Sequence, residues 1–325
     1  MKIISRQFIA GLSVALFTGT MTMAQSNQKL HSNNHIMENY PIHYRNIKVN
    51  DLNLFYREAG PADAPTILLL HGYPTSSHMF RNLIPILSKK YHVIAPDLPG
   101  FGYSDAPDHN RFSYTFDNLA GTVQAFVDKL EMKRFAVYIF DYGAPVGLRL
   151  AMNNPEKITG IVSQNGNAYE EGLSDQWNPI QKYWKDPSQA NRLALKNFVS
   201  EEVTLFQYQH GVSDPSLIAP EAYTLDQKFL DRPGNIEIQL DLVKDYRTNV
   251  ALYPKFHEYF RKYQPKLLLV WGNKDPYFLP AGAEAYKKDV PDAKLKFYDT
   301  GHFALETNAA EIGAEIFEFM GTLLR

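Results

Sequence analysis

The sequence predicts an α/β fold: a mostly parallel central sheet with helices on both faces and an inserted helical cap. Three features carry that prediction. Short, continuous apolar runs recur along the chain, as strands buried on both faces of a parallel sheet require. Longer stretches between them place apolar residues at helix spacing, and such alternation implies crossover connections onto one sheet. From 169 to 263 the rhythm gives way to a segment rich in Trp, Tyr, Phe, Gln, Asn and Pro whose readable spacing is helical. An insertion there would cover the end of the sheet where ligands bind in folds of this kind.

Residues 1–24 are expected to lie outside the fold. Lys2 and Arg6 precede an apolar run over 8–17, and a small, polar stretch ends at Ala24. This is the layout of a cleaved secretory signal peptide, which would send the product to the periplasm or the exterior. The run is shorter than the roughly 20 residues of a spanning helix, so no stable membrane insertion is expected after cleavage. Residues 25–45 read as a polar leader in which His31 and His35 are solvated. The core starts at 46, with strands at 47–49 and 52–56 joined around Asn50-Asp51 as a hairpin. Buried strands are expected at 66–70, 92–95, 135–140, 158–163, 266–271 and 295–298. Helical spacing runs through Phe80, Leu83, Ile84 and Leu87, then Leu119, Val123, Phe126, Val127 and Leu130, and finally Ile312, Ile316, Phe317 and Met320. The core is thus expected in two parts, 46–168 and 264–325, around a cap at 169–263.

Composition narrows the function. The 325 residues include 33 Lys and Arg against 35 Asp and Glu, a formal net charge of -2, which speaks against electrostatic binding of nucleic acid. Hydrophobic residues at 45% and charged residues at 21% exclude disordered and collagen-like classes. With no cysteine, disulfides, thiolate metal sites and cysteine nucleophiles are excluded together. A metal would have only His and carboxylates to bind it. Oligomeric state is not legible.

The chemistry concentrates at strand ends. In Val137-Tyr-Ile-Phe-Asp141-Tyr-Gly143-Ala-Pro-Val-Gly147 an apolar strand meets one reactive side chain, a glycine follows two residues later, and a helical pattern starts at once. That is the context of a nucleophile elbow, although Asp141 as a simple helix cap fits the same residues. His71-Gly-Tyr-Pro74 follows the third strand, the place of an oxyanion loop. Asp97, in the Pro- and Gly-rich run 96–105, reads as structural. Asp275 follows one late strand and His302 follows the last. The order nucleophile, acid, histidine is that of the α/β-hydrolase fold.

His71-Gly-Tyr-Pro-Thr-Ser-Ser-His-Met-Phe-Arg-Asn82, Pro96-Asp-Leu-Pro-Gly-Phe-Gly-Tyr-Ser-Asp105, Asp141-Tyr-Gly143 and Gly301-His-Phe-Ala-Leu-Glu306 resemble the haloalkane dehalogenase and epoxide hydrolase branch of the α/β-hydrolases. The resemblance implies Asp141 as nucleophile, His302 as base and Asp275 as its orienting acid. Other members carry the acid after the sixth strand; here that stretch is Gln164-Asn165-Gly166-Asn167, with Glu170 and Glu171 a little beyond as alternatives. Asp141 would attack an sp3 carbon to form an alkyl ester. Water activated by His302 would then cleave it, with the backbone N–H groups of Tyr73 and Tyr142 holding the oxyanion, so the resemblance implies neither a metal nor an organic cofactor.

The leaving group sets the substrate class. An epoxide opens to an alkoxide that needs a hydroxyl donor, whereas a halide needs N–H donors. Dehalogenases of this type usually have Trp after the nucleophile and often Asn in the oxyanion loop, where this chain has Tyr142 and Tyr73. Asp245-Tyr246-Arg247-Thr-Asn249 resembles the segment supplying a ring-opening tyrosine, and Tyr208 is the candidate for a second. Trp177 and Trp184 are candidate halide donors, with cap packing as the alternative. Ile139 stands where relatives tend to have a small residue. The expected partners are water and a small substrate, apolar on the strength of an aromatic content of 13%. Epoxide hydrolysis is thus expected, with haloalkane dehalogenation and non-catalytic ligand binding as alternatives.

Overall fold

The computed structural model describes residues 40–323. The expected signal peptide, most of the leader, and His31 and His35 lie outside them. Eight strands form one sheet: β1 (His43–Val49), β2 (Leu52–Ala59), β3 (Thr66–Leu70), β4 (His92–Pro96), β5 (Phe135–Phe140), β6 (Ile158–Gln164), β7 (Leu267–Gly272) and β8 (Lys294–Tyr298). Their spatial order is β1-β2-β4-β3-β5-β6-β7-β8. β2 pairs antiparallel with both β1 and β4, and the remaining neighbours are parallel. The helices are α1 (Ile84–Leu87), α2 (Phe116–Lys129), α3 (Gly143–Asn153), α4 (Asn178–Lys185), α5 (Gln189–Ala194), α6 (Glu201–Gln209), α7 (Pro220–Leu230), α8 (Asn235–Tyr263), α9 (Pro280–Ala285) and α10 (Ala304–Leu323).

β5 shows why the central strands read as unbroken apolar runs. All six of its residues are buried. Val137 and Ile139 enter one core with Leu119, Val123 and Phe126 of α2 and Val146 and Leu150 of α3. Ala136, Tyr138 and Phe140 enter the other, with Ile84 and Leu87 of α1 and Ile312 and Ile316 of α10. Successive side chains point to opposite faces, so a strand between two helical layers needs apolar residues at both parities. Each fully buried aliphatic side chain contributes roughly 1.5–3 kcal/mol.

Three boundaries differ from the sequence reading. β1 starts at His43, inside the expected leader, because backbone pairing with β2 continues to His43 opposite Glu58 although these side chains are exposed and carry no apolar pattern. The helical spacing over 80–87 yields only α1 preceded by a 3-10 turn at Ser77–Phe80. Pro85 has no N–H to donate and is tolerated only in a first helical turn, so the helix starts beside it. Finally, α8 serves both cap and core. Its last part docks on the core: His257 Nε2 bonds the Ala168 carbonyl, Phe260 packs on Tyr286, and Arg261 pairs with Asp289.

Candidate active site

β5 delivers Asp141 to a sharp turn. Its φ of 47° is left-handed, a conformation that costs a side chain energy and is held by its surroundings. Two residues later α3 starts at Gly143, where a Cβ would lie 2.4 Å from the Leu70 carbonyl oxygen and 2.7 Å from that of His71. Only glycine lets the turn sit this close to β3. Gly143→Ala is therefore expected to destabilise the fold by at least about 1–3 kcal/mol, read as a lower urea midpoint at unchanged m-value. Ile139 also finds its compensation here: a Cβ on Gly147 would lie 2.4 Å from Ile139 Cγ2, so this glycine in α3 makes room for the branched side chain.

The loop after β3 meets the turn from the other side. A Cβ on Gly72 would fall 2.4 Å from the Asp141 side chain, so glycine is what allows the next backbone N–H to reach it. Asp141 Oδ1 accepts from the backbone N–H groups of Tyr73 at 2.6 Å and Tyr142 at 2.5 Å, the two donors expected from the sequence. His71 braces this loop. Its Nε2 accepts from the Leu98 N–H while Nδ1 faces the Gly72 carbonyl, and burial lowers its pKa, keeping the ring neutral. Asp97 is structural as read, accepting from the N–H groups of Ser77 and Tyr103.

Loops from three more strand ends complete the cluster. His302 Nδ1 lies 2.7 Å from Asp275 Oδ2, and its Nε2 stands 3.9 Å from Asp141 Oδ2. The second distance is too long for a hydrogen bond and leaves Nε2 free to take a proton from water. Asp275 is held by the Tyr277 N–H on Oδ1 and by the Asn165 side-chain amide on Oδ2 at 2.7 Å. Asn165 follows β6 and also accepts from the Gly272 N–H. The sequence reading noted this amide only as the absence of an acid; in the structure it orients the acid supplied by the neighbouring strand. Glu170 and Glu171 are exposed, and Glu171 pairs with Lys288, so the alternative acids are set aside.

Burial is the main influence on the charges here. It raises the Asp141 pKa to about 6, against the opposing pull of His302 and the two backbone N–H groups. For His302 burial works downward, but the charge and hydrogen bond of Asp275, with the charge of Asp141, outweigh it and leave the pKa raised. The two groups thus lie side by side in a site that disfavours any uncompensated charge.

The cavity above Asp141 is lined by Tyr73, Tyr142, Trp177, Ile180, Phe198, Gln207, Tyr277 and His302. It leaves about 20 Å³ for the centres of water-sized bodies, close to what one water needs. The larger surface grooves, such as that between Lys196 and Glu237, contain none of Asp141, Asp275 and His302.

Two sequence assignments are corrected. Tyr208 is buried away from the cavity, stacked on Phe303 at 3.9 Å with its hydroxyl on Asp226 Oδ2 at 2.5 Å. Its neighbour Gln207 lines the cavity instead, because consecutive helical side chains diverge by roughly 100°. Tyr246 packs behind the wall, 4.5 Å from the Trp177 ring and 5.9 Å from that of Tyr142. Its buried hydroxyl sits beside Tyr253 without closing a hydrogen bond of proper geometry. The wall residues Tyr277, Phe198, Ile180 and Gln207 were not anticipated. Of these, only Tyr277 carried a sequence signal, standing two residues after Asp275.

The tryptophans are fully engaged. Indole N–H groups of Trp177, Trp184 and Trp271, the three in the chain, donate to the carbonyls of Tyr277, Val243 and Phe278. In contrast, the hydroxyls of Tyr142 and Tyr277 make no hydrogen bond among the described residues. Burial first, then nearby carboxylates, hold both phenols above their ordinary pKa, so they stay protonated. Among the described residues no group of three or more His, Asp and Glu side chains is placed to hold a metal ion, and no helix is long and apolar enough to cross a membrane.

Comparison with known proteins gives a consistent picture. An alpha/beta hydrolase fold family model matches residues 65–309. An uncharacterized hydrolase of Saccharomyces cerevisiae, YNR064C, is 49% identical over 286 residues, 86% of this chain and 98% of that protein. A haloalkane dehalogenase of Psychrobacter cryohalolentis is 39% identical over 117 residues, only 36% of this chain and 38% of that enzyme's own length. The crystal structure of haloalkane dehalogenase DbeA from Bradyrhizobium elkani shares the fold with a TM-score of 0.69 at 23% identity, over 87% of this chain and 99% of that one. A sheet of this order, with its acidic turn after β5 and a family match over most of the chain, makes the protein a hydrolase that belongs to the α/β-hydrolase fold family.

Proposed function

We propose that the protein hydrolyses a small epoxide to a diol through an ester on Asp141. Asp141 Oδ2, the carboxylate oxygen not held by backbone N–H groups, attacks a ring carbon, and the C–O bond on that carbon breaks. The departing alkoxide takes a proton or hydrogen bond from a tyrosine hydroxyl in the wall, Tyr142 or Tyr277. Oδ1 becomes the ester carbonyl oxygen, already in the grip of the Tyr73 and Tyr142 N–H groups. Water then gives a proton to His302 Nε2 and adds to Cγ. Negative charge builds on Oδ1, where the two donors stabilise it, and the intermediate collapses by releasing the diol alkoxide, which takes the proton from His302; the carboxylic acid left on Asp141 then gives up its proton, which restores the tyrosine that protonated the ring oxygen. Asp275, fixed by Asn165 and the Tyr277 N–H, holds the imidazole in one orientation throughout.

The observation that carries the choice of epoxide is the state of the donors. Every indole N–H is tied to a backbone carbonyl, whereas two protonated hydroxyls in the cavity wall have no partner. An alkoxide calls for the second kind of donor and a halide for the first. A dehalogenase reading draws support from the dehalogenase relatives that match parts of the chain. Purified protein incubated with panels of terminal epoxides and of haloalkanes is expected to release diol without halide. Halide release without diol formation would reverse the assignment.

A further inference from the structure

Nine buried side-chain polar atoms have no hydrogen-bond partner among the described residues, and one of them, Gln207 Nε2, belongs to a residue in the wall of the cavity above Asp141. Its neighbours on α6 make the contrast clear. Thr204 and Tyr208, also buried, are satisfied by Gln227 and Asp226. Gln207 is only 2% exposed, and its amide nitrogen finds no partner in the protein. A buried amide left unpaired is costly, and a residue of this kind at a cavity wall is satisfied by what enters the cavity. We infer that Gln207 recognises a second oxygen on the substrate, so that the preferred epoxides are small and carry a hydroxyl or carbonyl next to the ring. This inference rests on the epoxide reading and replaces the apolar substrate expected from composition. The narrow space above Asp141 favours the same small compounds.

The division of labour follows from position. The tyrosine hydroxyls meet the ring oxygen in the bond-breaking step, and Gln207 holds the remote oxygen in both ground and transition states. Gln207 is therefore a specificity residue, and its removal affects one substrate of a matched pair. The test compares glycidol with 1,2-epoxypropane, which differ by one hydroxyl, on the full-length wild type and Gln207→Met, a change of similar size that deletes the amide. Wild type is expected to prefer glycidol in kcat/KM by about 10- to 100-fold. In Gln207→Met that preference is lost, the ratio of kcat/KM on glycidol to that on 1,2-epoxypropane falling to about 1. A preference retained in the variant, or an equal fall on both substrates, overturns the assignment. A binding arm needs no turnover: glycerol and 1,2-propanediol are titrated into both proteins and followed by NMR. If neither epoxide is hydrolysed the epoxide reading fails. Tighter binding of glycerol by wild type alone then still supports Gln207 as a polar recognition residue, and equal binding by both proteins rejects it.

Discussion

Mixed with an epoxide that the wild type hydrolyses, the His302→Gln variant is expected to take up one substrate molecule per chain and then stop. The first step needs no base, because above about pH 6 the Asp141 carboxylate is already ionised. The second step requires a group to deprotonate water beside Asp141, and His302 Nε2, 3.9 Å from Oδ2 and free of other partners, is the group in position. Glutamine keeps the bulk but cannot accept that proton, so kcat falls by about 10⁴-fold or more while ester formation continues. Intact-mass measurement should show the protein heavier by one substrate, and peptide mapping should place the addition on Asp141. Loss of turnover with no addition at Asp141 would rule out the ester.

Asp141→Asn has an equally large effect on turnover and an opposite one on stability. The amide cannot attack, so neither diol nor adduct forms. The oxygen can still accept from the Tyr73 and Tyr142 N–H groups, so the turn keeps its backbone contacts. Folding raises the Asp141 pKa from 3.8 to about 6, which means that the fold disfavours the ionised form. This destabilisation is absent below the unfolded value, grows as pH rises between the two, and is full above about 6. The variant should therefore be more stable than wild type at pH 8 by up to about 3 kcal/mol, with the advantage shrinking to nothing near pH 4. Urea unfolding at both pH values measures it. Equal stability at pH 8 would mean that burial does not act on this carboxylate as described.

The strand ends were the readable part of this protein. Asp141 and Asp275 each follow an unbroken apolar run that is a buried strand, β5 and β7. His302 instead follows β8, an edge strand whose residues Lys294–Phe297 are exposed or half-buried where a buried strand was expected. Parallel strands in one sheet bring their C-terminal ends to one edge. Gly72 and Gly143 stand where the loop after β3 meets the turn after β5, an approach so close that only glycine allows it, and each leaves its mark in the sequence beside a reactive position. Asn165 was visible as a departure from the family pattern, but its use was not. That depended on β7 lying next to β6, so that an amide on one strand end reaches the carboxylate after the other.

The cap was harder to read because its helices have no sheet to fix their rotation. In α6 a single step along the helix decides whether the cavity receives Tyr208 or Gln207, and both residues are buried. Tyr246 sits on the long helix α8 at the right level but behind the aromatic layer of Trp177 and Tyr142. Aromatic composition identifies neither outcome, since a tyrosine in the second layer and one in the wall bury similar surface.

From the chain alone came the succession of strands and helices in the core, the acidic turn after β5 and the strand-end loops that carry His71, Asp275 and His302, because each is written in contiguous residues whose backbone geometry is local. Only the tertiary structure decided which side chains of the cap face the carboxylate, that every indole N–H is engaged, and that the amide nitrogen of Gln207 at the cavity wall is left without a partner. Those facts depend on how distant helices rotate as they pack, and the rotation is set by the sum of many contacts between segments far apart in sequence.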